Sequence, residues 1–130
     1  MANVSNETRP LSPHLQVYRL PLNAKLSILH RITGVALAFA AILIVWYFLA
    51  LATGPEYFET ASAVLTSWFG ILVFTLSTVA LWLHFANGVR HLVWDTGSHL
   101  GQKASNRSAM IGLAFMVVMT IITLWIAIGG

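Results

Sequence analysis

Residues 32–55 read ITGVALAFAAILIVWYFLALATGP and contain no Lys, Arg, Asp or Glu. Thr60–Val89 and Ser108–Gly130 share that property. Each stretch is longer than the roughly 20 apolar residues an α-helix needs to cross a bilayer. The expected fold class is therefore an all-α membrane protein with three transmembrane helices, forming a helical bundle. Spans are expected at about 27–52, 61–93 and 108–128, with residues 1–26 as an N-terminal interfacial segment. The whole composition agrees: 58% of residues are hydrophobic and 8% charged, against about 25% charged in a soluble domain. A soluble enzyme and a disordered chain are excluded. With no cysteine, so is a secreted disulfide scaffold.

Met1–Pro10 is polar and no apolar h-region follows at once, so the N-terminus does not read as a signal peptide. It is not an Arg-rich, acid-poor transit peptide either, which favours a bacterial inner (cytoplasmic) membrane over the mitochondrial inner membrane. Arg9–Asn23 holds three prolines and alternates apolar with polar residues, as an extended or interfacial segment does. The first helix is expected to start near Asn23–Ser27, with either end residue as its cap, and to end by Thr53-Gly54-Pro55. The second begins around Phe58–Ala63.

The basic residues are distributed asymmetrically. Arg9, Arg19, Lys25 and Arg31 precede the first span, while Arg90, Lys103 and Arg107 lie at or beyond the far end of the second. The loop between those spans carries Glu56 and Glu59 but no Lys or Arg, and the tail after the third span is uncharged. All seven basic residues thus fall on one side, which the positive-inside rule assigns to the cytoplasm together with the N-terminus. The net charge of +3 is a topology signal and does not point to nucleic acid.

Polar groups within a span are costly and commonly functional. His84 lies in the second charge-free stretch, about 9 Å deeper than Arg90 at 1.5 Å per residue. On a helix, Ser77, His84, Gly88, His91 and Asp95 fall within about 40° of one direction, Asn87 flanks them and Arg90 points away. Two readings compete. His84 donates a hydrogen bond between helices, with Gly88 permitting close packing. Alternatively it is an axial haem ligand, Gly88 leaving room for the porphyrin.

Ser27, Arg31, Gly34, Ala38 and Ala41 share a face of the first helix, with His30 to one side. That face is expected to be packed, small residues letting another helix approach. Ser27 and Arg31 sit where the polar segment meets the bilayer, as a helix cap and a snorkelling cation, or as donors to a quinone head group or haem propionate. His14 and His99 fall in loops. Trp46, Trp68, Trp82 and Trp125 read as belt or packing residues, whereas Trp94 adjoins the polar cluster. The third span has only Ser108, Thr120 and Thr123 as polar side chains and reads as structural. There is no nucleophile–base pair, zinc spacing or phosphate loop.

Two segments carry a resemblance. Arg9–Leu37, RPLSPHLQVYRLPLNAKLSILHRITGVAL, and His84–Gly97, HFANGVRHLVWDTG, closely resemble the cytochrome b556 membrane-anchor subunits of succinate dehydrogenase. These are the larger of two anchor polypeptides, in the alphaproteobacterial and mitochondrial branch. The motifs cover about a third of the chain, and the remainder agrees in length, span count and topology. The resemblance implies that His84 is this subunit's axial ligand to the iron of a single b-type haem, the second ligand coming from a small anchor subunit. It implies that His30, Arg31 and His91 meet the propionates, and that Ser27 and Arg31 line the ubiquinone site. An iron–sulfur subunit and a flavoprotein subunit would dock on the basic side and supply the succinate chemistry. From the two helix faces, Asp95 is expected to hold Arg31 by an ion pair. The alternatives are a quinol:fumarate reductase anchor and a haem-free three-helix structural or transport subunit.

Overall fold

The computed structural model describes residues 18–129. Expectations about Arg9, His14 and most of the N-terminal segment lie outside the described residues. Within them the chain forms four helices: α1 (Leu22–Thr53), α2 (Pro55–Leu65), α3 (Trp68–Asp95) and α4 (Gln102–Gly129). α1, α3 and α4 are each long and apolar enough to cross a membrane.

α1 starts earlier than the polar cap residues suggest. Its N-cap is Pro21, in extended backbone and without a capping side chain. The Pro21 carbonyl accepts from the amides of Ala24 and Lys25 at 3.1 and 3.2 Å, and Asn23 and Ser27 lie inside the helix. At the other end Gly54, with φ of 143°, takes a conformation that side chains disfavour. Pro55 cannot continue α1 and instead opens α2.

The expected second span is interrupted. α2 folds back along α1, where Ala50 and Ala61 are fully buried and the Trp46 indole donates to the Tyr57 hydroxyl at 2.9 Å. Small residues on both helices permit that approach. The chain then breaks at Thr66 and Ser67. Ser67 caps α3 by accepting from the Gly70 amide at 3.3 Å, and its hydroxyl donates to the Val64 carbonyl at 2.6 Å. A Cβ at position 70 would overlap the Leu65 carbonyl, so the break requires glycine there.

α3 is the central helix, packed against α1 on one side and α4 on the other. The helices run antiparallel in chain order, which gathers the start of α1, the end of α3 and the start of α4 at one basic end. The buried cluster there is small: Leu26, Leu83 and Ala109, with Leu22, Leu113 and Met116 against it. Farther along, the Trp82 indole donates to Thr123 at 3.0 Å, and Trp82 and Phe85 meet the ring of Phe115. Most of the remaining apolar surface is open, including Phe39, Ile42, Trp125 and Ile128. A contiguous apolar surface on this scale suits lipid and partner helices rather than water.

Candidate functional site

The site lies at the basic end, on one side of the α1–α3 seam. The packed stripe of α1 is Leu26, Thr33 and Ala40, and that of α3 includes Leu83, Ala86, Asn87 and Arg90. At 100° per residue, the Gly34 face of α1 and the His84 face of α3 each lie roughly a third of a turn from these stripes. Both faces flank the seam on the same side. Arg31, Ala38 and Ala41 are consequently exposed, and no described helix of this chain packs on them. Only Gly34 and His30 turn toward α3.

His84 is held from α1. Its Nδ1 lies 3.0 Å from the His30 carbonyl oxygen and 3.2 Å from Thr33 Oγ1. The Thr33 hydroxyl lies 2.8 Å from the Leu29 carbonyl, so it can give its hydrogen there and accept from the imidazole. Nδ1–H then donates to His30 and Thr33, and in the neutral imidazole Nε2 carries the lone pair. The His30 ring stacks on the His84 ring, centroids 3.9 Å apart and planes 11° from parallel. His91 follows at 5.3 Å from His30 and meets Trp94 edge-on at 5.1 Å. Three imidazoles thus descend from the basic edge into the bundle.

Two glycines make this possible. A Cβ on Gly34 would stand 3.0 Å from His84 Cε1, tighter than side chains normally tolerate. A Cβ on Gly88 would lie 3.9 Å from His30 Nε2. Gly34, more than Gly88, is therefore the gap for the His84 ring. His30 Nε2 is buried with no hydrogen-bond partner among the described residues. A buried polar atom without a partner commonly marks a group absent from the structure.

Ser27 is half-buried and Arg31 exposed, one turn apart on α1. Asp95 is also exposed, and no ion pair joins it to Arg31. The reason is axial register. Gly34 lies against His84 and Gly88 against His30, which sets Arg31 level with residue 87. Asp95 is eight residues farther along, roughly 12 Å.

Two residues stand out that sequence reasoning passed over. Thr33 is the first, a polar side chain inside the first charge-free stretch and 8% exposed. Arg90, assigned to topology, is the second and is equally buried. It donates to Asn87 Oδ1 at 2.7 Å, to Asn23 Oδ1 at 2.8 Å and to Ser108 Oγ at 3.2 Å. Its guanidinium carbon sits 4.8 Å over the Trp94 ring. One cation thereby joins α1, α3 and α4. The i, i+3 pair Asn87–Arg90, with Ser105 and Ser108 spaced alike on the facing helix, was the available signal.

Among the described residues no group of three His, Cys, Asp or Glu converges on a metal position. The arrangement defines a multi-pass membrane protein with an imidazole cluster at its basic end and much lipid- or partner-facing surface. Residues 5–123 match the family described as succinate dehydrogenase/fumarate reductase transmembrane subunit. The chain is 46% identical over 124 residues, covering 95% of both chains, to the succinate dehydrogenase cytochrome b556 subunit of Paracoccus denitrificans. It is 36% identical over 118 residues, 91% of each chain, to the protein of the same name from Rickettsia bellii. Identity to the succinate dehydrogenase cytochrome b560 subunit of Marchantia polymorpha is 37% over 126 residues, 88% of this chain and 89% of the relative. The chain belongs to the succinate dehydrogenase/fumarate reductase transmembrane subunit family.

Proposed function

We propose that this chain is the large membrane anchor of a succinate:quinone oxidoreductase in a bacterial inner membrane, binding a b-type haem through His84 and ubiquinone through Ser27 and Arg31. The observation that carries the haem reading is the hydrogen bonding of His84 Nδ1, to the His30 carbonyl and Thr33, which leaves Nε2 as the nitrogen available to a metal. Metal-bound histidines are commonly fixed in this way. The names cytochrome b556 and b560 borne by the relatives agree with it.

The residues present fit the group. Gly34 lets the His84 ring sit close against α1, and His30 Nε2 is an unpartnered donor or acceptor beside it. His30, Arg31 and His91 would meet the propionates at the basic edge, and a small anchor subunit would supply the second axial histidine. When bound, the haem supplies a one-electron store near the quinone pocket. Ser27 and Arg31 donate hydrogen bonds to a quinone carbonyl oxygen and stabilise the charge that develops there during reduction. The quinone takes up two electrons and two protons to become quinol, the electrons arriving from succinate through a flavoprotein and an iron–sulfur subunit. Those subunits would dock on the basic, cytoplasmic side.

The test is purification of the complex from native membranes with a redox difference spectrum. A reduced b-type α-band is expected, and His84→Ala should diminish or abolish it while the chain still assembles. An unaltered band in that variant overturns the ligand assignment and favours the reading of His84 as an interhelical hydrogen-bond donor.

A further inference from the structure

On the side of α3 away from His84 lies a groove that the haem and quinone roles do not use. At the basic end it opens as a crevice of about 590 Å³ between α3 and α4, where Arg90, His99, Lys103 and Arg107 join Val93 and Ile111 in the wall. None of the described residues lining it is acidic. The crevice continues into an apolar groove of about 310 Å³ along Phe85, Val89, Ile111 and Phe115, and the two share Val89, Arg90, Ser108 and Ile111.

We propose that this groove binds an anionic phospholipid, its phosphate at Lys103 and Arg107 and one acyl chain along Val89, Ile111 and Phe115. The placement of charge matches the molecule. Lys103, Arg107 and Ile111 follow one another at i, i+4 spacing and so share a face of α4. Ile111 and Phe115 lie roughly 6 and 12 Å beyond Arg107 along that helix. The charge-free stretches end at Val89 on α3 and begin at Ser108 on α4, so the cations flank the apolar zone and the groove runs into it. Lys103 and Arg107 are exposed, whereas Arg90 is committed to Asn87, Asn23 and Ser108 and forms a fixed back wall. Basic pockets between membrane helices suit anionic head groups.

The test uses the whole complex, delipidated in mild detergent, with phosphatidylglycerol carrying a photoreactive acyl chain and the equivalent phosphatidylcholine as reference. Crosslinks are expected at Val89, Ile111 or Phe115, with at least tenfold stronger labelling by phosphatidylglycerol that weakens as salt is raised. Lys103→Gln combined with Arg107→Gln should reduce phosphatidylglycerol labelling about 25-fold, about fivefold per cation, and leave phosphatidylcholine labelling unchanged. Val89→Trp, which fills the groove and touches neither cation, should abolish labelling by both lipids at these positions. Equal labelling by the two lipids, or full labelling in the double variant, overturns the proposal. So does a benzoylphenylalanine at position 111 that captures a polypeptide instead of lipid. Haem content plays no part in these readouts, so failure here is distinguishable from failure of the haem assignment.

Discussion

The imidazole of His84 lies against that of His30 with ring centroids 3.9 Å apart and planes 11° from parallel, while its Nδ1 stands 3.0 Å from the His30 carbonyl oxygen. One residue of α1 thus fixes both the plane and the neutral tautomer of the deepest ionisable side chain of α3. Gly34, one turn farther along α1, is what lets the ring sit so close.

Enlarging Gly34 should therefore act through His84. Gly34→Ala demands a shift of a few tenths of an ångström from a ring already fixed at Nδ1. Gly34→Leu cannot be accommodated without displacing it. We expect membrane insertion to be retained in both, with b-type haem content reduced in Gly34→Ala and lost in Gly34→Leu. Haem absorbance normalised to anchor protein checks this, and undiminished haem in Gly34→Leu would place the cofactor elsewhere.

Thr33 acts more gently, since its Oγ1 is the second acceptor near His84 Nδ1, at 3.2 Å. Thr33→Val keeps the shape and removes the hydroxyl. A weaker hydrogen bond at Nδ1 makes the imidazole a poorer donor to ferric iron, so the haem midpoint potential should rise. Haem affinity should fall by about tenfold, the low end for such supporting residues. Redox titration of the variant complex gives both quantities, whereas Thr33→Ser should restore them.

Ser27 and Arg31 share the face of α1 that flanks the Leu26–Thr33–Ala40 stripe, Ser27 half-buried and Arg31 exposed. Among the described residues none covers Arg31, so its guanidinium is open to a ligand or another subunit. Ser27→Ala and Arg31→Ala should each lower quinone reductase activity by about tenfold or more. Succinate oxidation with an artificial acceptor should be unaffected. A parallel fall in both activities would mean that assembly, and not quinone binding, depends on them.

The three-span fold could be read from the charge-free stretches because burying a charge in lipid is costly enough to leave a plain mark on sequence. The break at Thr66–Ser67 was not legible, since it rests on a serine cap and on the absence of a Cβ at Gly70, both local and weakly encoded. Helix periodicity grouped His84 with Gly88 and His91, and all three lie against His30. It carries no information about axial register between helices, so the expected Arg31–Asp95 pairing is not formed, the two lying roughly 12 Å apart along the helix axis. Arg90 was hidden for a related reason: its partners on other helices are 15, 18 and 67 residues away in the chain, and only packing brings them together.

Arg90 supplies the last prediction, on stability. Its guanidinium donates to side chains of all three long helices, and it stacks over Trp94. Arg90→Ala leaves Asn87 and Ser108 without a donor inside the bundle. A net hydrogen bond to a charged group contributes about 1.5–3 kcal/mol in soluble proteins, and interhelical bonds in membranes average nearer 0.6 kcal/mol. The three side-chain bonds together therefore stabilise the basic end by roughly 2–4 kcal/mol. Arg90→Lys keeps the charge but, with a point-like ammonium in place of the planar fork, cannot reach three acceptors on three helices, and should recover less than half of that. Thermal dissociation of the purified complex is the measurement, the expected order being wild type above Arg90→Lys above Arg90→Ala. If Arg90→Lys matched the wild type, charge alone would be sufficient and the fork geometry would carry no stability.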